Sequence, residues 1–195
     1  RGLGDVYKRQ VSVSAKAIEQ AGYGEGEKEF PRERAGVVFA NALGGENRNM
    51  SNIRVWSNHT SELAQQHGLP ASSKEAFMDA MNEHSPKVDE DTMPGELANV
   101  VSGRVANLLD LQGPNHAMDA ACASSMAAVM DACRLLQTRQ ADVMLAGATD
   151  RTMDPATYAK FSAIGALSPT HSTPFDARAN AVSYTHLTLP TSYPV

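Results

Sequence analysis

The 195-residue chain has only two cysteines, Cys122 and Cys133, and they are not in a CxxC spacing. Disulfide frameworks and structural zinc sites both need more sulfur at closer intervals, so neither architecture fits. Long apolar runs are missing too. The strongest one, Met126 to Met130, is interrupted by Asp131 and Arg134, far short of the ~20 residues of a membrane span. Basic charge is scarce: 17 Lys and Arg stand against 22 Asp and Glu, a net charge of −5. Nucleic-acid binders show a basic stripe, and none appears here. The start has no apolar core followed by small residues, as a signal peptide would. No repeat period is visible. What remains is an ordinary globular balance of 42% apolar and 20% charged residues. That is enough to bury the core of one domain or a large piece of one. The expectation is a soluble, cytoplasmic, mixed α/β chain.

The ends read differently from the middle. Residues 1–10 and 181–195 have the look of linker, the latter rich in Thr, Ser, Tyr and Pro without a helical period. An ordinary surface tail is the plainer alternative. Between them, helix and strand signals alternate. Ser14 to Ala21 reads as helix stopped by Gly22. Gly36 to Ala40 is a buried strand. Asn49 to His67 is a helix with apolar points at Ile53, Trp56 and Leu63. Ser72 or Ser73 is a candidate cap for a helix reaching Asn82, with Ala76, Phe77 and Met81 on one side. Leu97, Val101, Val105 and Leu108 make one helical face behind Pro94. Ser125 to Leu136 is apolar on nearly every side and reads as a helix buried all round. Asp142 to Ala146 is a strand ended by Gly147.

The chemistry concentrates in Asp119-Ala120-Ala121-Cys122-Ala123-Ser124-Ser125, where an extended segment (His116 to Ala121) runs into that helix. A cysteine in apolar company is ordinarily an inert filler. Here small neighbours permit a sharp turn that lifts a side chain into a pocket. A helix start also offers N–H groups and positive potential, which favour thiolate and hold an oxyanion. The dipole contributes at most ~2 kcal/mol, enough for a nucleophile but not for a base. Ser124 and Ser125 can satisfy local N–H groups there.

Gly103-Arg104-Val105-Ala106-Asn107, Leu111-Gln112-Gly113-Pro114-Asn115 and the cysteine block resemble the active-site region of β-ketoacyl synthases. Ala141 to Gly147, then Ala166-Leu167-Ser168-Pro169 with Pro174-Phe175-Asp176, resemble the strand and loop that follow. The resemblance spans Val11 to Asn180, taken as a partial domain over 11–180. Met93 to Asn99 and Phe175 to Asn180 are most similar to ketosynthases of polyunsaturated fatty acid synthases and iterative polyketide synthases. After Asn180 the family wording stops.

The resemblance implies the thiolase-like α/β fold, layered α/β/α/β/α, of which this is the N-terminal half. It also implies a homodimer with no cofactor of its own. Cys122 would take an acyl chain from the phosphopantetheine of an acyl carrier protein. A malonyl-type extender on the carrier would then lose carbon dioxide and attack the acyl-Cys122 thioester. The two histidines and the lysine that assist decarboxylation belong to the other half, so the fragment alone is expected to be inactive. Leu43 matches a position that gates the acyl pocket, and a turn residue packed on the core is an equally good reading. Met126, Met130 and Cys133 read as core, with Met126 a candidate for lining an acyl channel. His116 lies an even number of residues before Cys122, which makes proximity conceivable, but a core or turn histidine is the simpler reading. His59, His67 and His84 read as solvated, and His171 and His186 have no assigned role. Asp176 and Arg178 hold a loop together. Two alternatives are a non-catalytic partner of the chain-length-factor type, disfavoured by the presence of Cys122, and a thiolase-type cysteine acyltransferase.

Overall fold

The computed structural model describes residues 4–24, 28–42, 46–68, 70–150, 154–168, 173 and 176–179. The tail from Ala181, with its suspected linker and His186, lies outside them, as does His171. Helix α1 (Gly4–Ile18) runs on into a wider turn over Glu19–Tyr23. Gly22 in that turn has φ 85° and ψ 26°, the left-handed geometry that suits a glycine ending a helix. The helix starts inside the segment read as linker. Asp5 to Gln10 holds no proline or glycine to stop propagation, and Gln10 is buried.

Strand β1 (Ala35–Ala40) is buried along its whole length. Helices α2 (Glu46–Gln66) and α3 (Ala71–His84) pack against each other. After α4 (Thr92–Glu96) and α5 (Ala98–Leu108) come β2 (Asn115–Met118), α6 (Ser124–Gln137), β3 (Val143–Ala148) and α7 (Pro155–Ala163). The three strands form one parallel sheet in the order β2-β1-β3. Parallel pairing requires crossovers, which lay helices over both faces. The period of two along β1 then sorts its side chains. Ala35, Val37 and Phe39 join Val101, Val105, Ala106 and Leu111 on the α5 face, with Val11 and Ile18 of α1 alongside. Val38 and Ala40 meet Ala128 of α6 on the other.

Several expectations change. Leu97 and Leu108 do not share the buried face of α5. Leu97 is extended and precedes the helix (φ −83°, ψ 118°), and Leu108, the helix's last residue, is 65% exposed. Ser102 and Ala106 complete that face instead. Neither Ser72 nor Ser73 caps α3, because the chain enters the helix directly behind Pro70 (φ −59°) and both serines fall inside its first turn. In α2 the apolar points Ile53, Trp56 and Leu63 are exposed, and so is Phe77 of α3. The buried positions of α2 are small ones, Ser51, Ser57 and Ser61. Ser57 and Ser61 donate to the carbonyls of Arg54 and Asn58, so their burial leaves no hydroxyl donor unpaired.

Helix α6 is not buried all round. Ser124, Ala128 and Ala132 face the sheet, while Met126, Val129, Met130 and Leu136 are exposed. One sheet covers one side of a helix, and the described residues supply no second layer. Cys133 is exposed for the same reason. Finally, Gly147 does not end β3. The strand passes through it to Ala148 with Gly147 opposite Phe39, and a Cβ there would stand 2.6 Å from the Phe39 ring.

Candidate functional site

The C-terminal end of β2 leads into a bend of a few residues before α6 begins. Asp119 Oδ1 accepts the Ala121 N–H at 2.9 Å. Ser124 Oγ accepts the Ala120 N–H at 2.8 Å and donates to the Ala121 carbonyl at 2.6 Å. The Ala123 N–H reaches back to the Ala120 carbonyl at 3.1 Å. These bonds close a short 3-10 turn over Ala121–Ala123, with Cys122 in its middle and its thiol exposed. The sharp turn expected from the small residues is present.

Ala121 adopts φ +49°, a left-handed conformation that costs a residue with a Cβ roughly 1–2 kcal/mol. Among the described residues, Asp110 and Arg139 also have positive φ, but they follow the C-terminal ends of α5 and α6, where such a geometry serves to end a helix. Ala121 stands ahead of a helix, beside the candidate nucleophile, and strain of this kind concentrates at functional sites. No side chain caps α6 at Ala123. Ser124 therefore shapes the turn rather than capping the helix, and the first N–H groups, of Ala123 and Ser124, bond the Ala120 and Ala121 carbonyls.

His116 lies on β2, opposite Val38 of β1. Its Nε2 is 2.7 Å from Oδ2 of Asp131 on α6, and the two side chains are 40% and 22% exposed. The core reading for His116 is thus replaced by a polar pair on the α6 side of the sheet. The sequence pattern does not name this partner, although Asp131 interrupts an otherwise apolar helix, which is the signal of a polar contact.

Met126, on the first turn of α6, is 51% exposed. It is not core, because among the described residues only the sheet packs on the helix, on the side of Ser124, Ala128 and Ala132. Met130 shares that outer face. Leu43 lies outside the described residues. Asp176 and Arg178 do hold their loop, with the guanidinium Nε and Nη2 on the carboxylate at 2.9 and 2.8 Å. That contact holds the Asp176 carboxyl below its usual range. His84 Nδ1 meets the Ala80 carbonyl, and His59 stacks edge-on with Trp56. Among the described residues no group of three or more His, Cys, Asp or Glu side chains could hold a metal ion. No helix among them is long and apolar enough to cross a membrane.

Residues 8–185 match the family described as Beta-ketoacyl synthase, N-terminal domain. Subunits A, B and C of the phenolphthiocerol/phthiocerol polyketide synthase of Mycobacterium tuberculosis are 36%, 42% and 47% identical over 95, 94 and 79 residues. Those stretches cover 48%, 48% and 40% of this chain, but only 5%, 6% and 4% of the subunits. A crystal structure of a β-ketoacyl synthase from Burkholderia phymatum superimposes with a TM-score of 0.62 at 20% identity. It covers 90% of this chain and 38% of that one. The fold is thiolase-like, and the chain spans a fraction of the length of the proteins it resembles.

Proposed function

Since the chain belongs to the β-ketoacyl synthase family, matching its N-terminal domain, we propose that it is the nucleophile-bearing part of a condensing acyltransferase and that Cys122 is the acyl acceptor. The observation that carries this reading is the bend itself, an exposed thiol on a strained turn between a parallel strand and a helix start. In open parallel sheets, ligands bind outside the carboxyl ends of the strands, where this turn sits.

In the proposed reaction the Cys122 thiolate attacks the carbonyl carbon of an acyl thioester carried on phosphopantetheine. A sulfur–carbon bond forms and the carbonyl oxygen becomes an oxyanion. The positive end of α6, directly behind Cys122, stabilises that charge. Collapse of the adduct expels the carrier's thiolate and leaves acyl-Cys122. A malonyl-type extender on the carrier protein then loses carbon dioxide, and its enolate carbon bonds to the acyl carbon. Cys122 leaves as thiolate. The partner in both steps is an acyl carrier protein, and the phosphopantetheine is the carrier's, not this chain's. Similarity to polyketide synthase subunits supports a setting in fatty acid or polyketide synthesis. A homodimer is the assembled form we propose from the family resemblance.

The second step requires donors for the enolate oxygen. The resemblance assigns the histidines and lysine for that task to the other half of the domain, and each missing donor costs on the order of 10²–10³ in rate. This chain by itself therefore accepts an acyl group without decarboxylating the extender. The test is incubation with an acyl-carrier thioester and malonyl carrier protein, following intact mass and carbon dioxide separately. The expected result is one acyl adduct, abolished by Cys122→Ala, with no carbon dioxide. An adduct that survives Cys122→Ala, or none where an intact ketosynthase is labelled, overturns the nucleophile. Carbon dioxide at an intact ketosynthase's rate overturns the division of labour.

A further inference from the structure

We infer that His116 and Asp131 are positioning residues that hold the Cys122 turn in shape by locking α6 onto β2, an inference that rests on the reading of Cys122 as the nucleophile. The turn is a short connection between two rigid elements, so its backbone follows their relative placement. The apolar contact of α6 with the sheet centres on the small Ala128 against Val38 and Ala40, with Leu135 of the helix and Met118 and Met144 of the sheet packed around it. Such a contact sets how far apart helix and sheet lie, but apolar burial has no direction and barely resists sliding or rotation. Hydrogen bonds do have direction.

Among the described residues, two side chains of α6 bond to the strand and turn that precede it. One is Ser124, bonded to both Ala120 and Ala121 at the turn. The other is Asp131, bonded to His116 of β2, about 10 Å further along at 1.5 Å per residue. Beyond the far end of α6, Arg34 donates to the Arg139 carbonyl at 2.7 Å and to Asp142 at 2.8 Å, so that end is tied to the start of β1. Asp131 adds the second fixed point near the turn, and without it the half of the helix next to Cys122 can swing about Ser124. The left-handed Ala121 has to be held by its surroundings, and a swinging helix would let it relax and carry Cys122 out of place. The pair also lies within the strand-turn-helix unit that contains the cysteine, so no other element need transmit its effect.

The experiment uses the full chain and iodoacetamide, with mass spectrometry reading Cys122 and Cys133 separately. Cys133 is exposed on the same helix and serves as an internal reference. In the unaltered chain Cys122 is expected to react faster. His116→Phe and Asp131→Leu are each expected to lower the Cys122-to-Cys133 rate ratio by about threefold or more, with a coupling of contacting residues between them. Asp131→Asn, which still accepts a hydrogen bond, is expected to keep the ratio, and exchanging the two residues to restore it. A fall in melting temperature with an unchanged ratio, or a parallel change at both cysteines, overturns the inference. If the single variants do not fold, the exchanged pair decides: a folded chain with the ratio still low is also fatal to it. Alkylation does not involve a carrier protein. Failure of acyl transfer with the alkylation pattern intact therefore counts against the nucleophile reading alone.

Discussion

Asn49 Nδ2 donates a 2.8 Å hydrogen bond to Oδ2 of Asp154, tying the beginning of α2 to the beginning of α7. The Asp154 residue is 3% exposed. It caps α7 as well, accepting the Thr157 N–H at 3.1 Å and the Thr157 hydroxyl at 2.9 Å.

Burial by itself pushes the Asp154 carboxyl up, but the hydrogen bonds from Asn49, Thr157 and Ala156 outweigh it and leave the group below its usual range. A carboxylate lowered by folding contributes stability above its unfolded value, near 3.9, and loses it as pH falls through the lower folded value. Asp154→Ala is expected to cost about 1–2 kcal/mol at neutral pH, as loss of a cap does. The difference from the unaltered chain should shrink at acid pH. Thermal melts of both chains across pH 2–7 check this, and a difference independent of pH would refute it.

Close backbone approach predicts a contrast between two glycines. A Cβ at Gly113 would stand 2.7 Å from the Ala35 carbonyl oxygen, which belongs to the fixed start of β1, whereas at Gly147 it would meet the Phe39 ring. Overpacking costs typically 1–3 kcal/mol. Gly147→Ala should be rescued in good part by Phe39→Leu, while Gly113→Ala has no side chain to shorten and should stay destabilised. Urea unfolding of the single and double variants measures it; equal rescue at both sites would contradict the geometry.

Ala121 offers a test of backbone strain. Glycine accepts φ +49° without penalty, so Ala121→Gly is expected to be neutral or stabilising by up to about 1 kcal/mol after its extra unfolded-state entropy. Ala121→Val should destabilise by about 2 kcal/mol or more, since a β-branched residue tolerates this region least. Denaturant midpoints decide. A stable valine variant would mean that the turn is not strained.

Elements defined by local chemistry were legible early. Gly36 to Ala40 is short, apolar and bounded by turn residues, and it is the central strand. Gly22 marked a helix end because few other residues adopt its φ. The segment before Cys122 announced a junction through its small residues. Burial was harder to read. Met126, Met130 and Cys133 look like core because an all-apolar helix normally has neighbours on every side, and only the layers present decide whether it does. In α2 the apolar residues drew attention, while serines took the packed positions.

The sequence alone determined the central strand, the main helices around it, which residue is the candidate nucleophile and which family the motifs resemble, because periodicity, turn residues and motif order are properties of neighbours along the chain. Only the tertiary structure decided that β1 lies between β2 and β3, that His116 finds Asp131, that Asp154 finds Asn49, and that Ala121 turns left-handed. Each of those depends on distances between segments far apart in the chain, and packing of whole elements, not local preference, sets those distances.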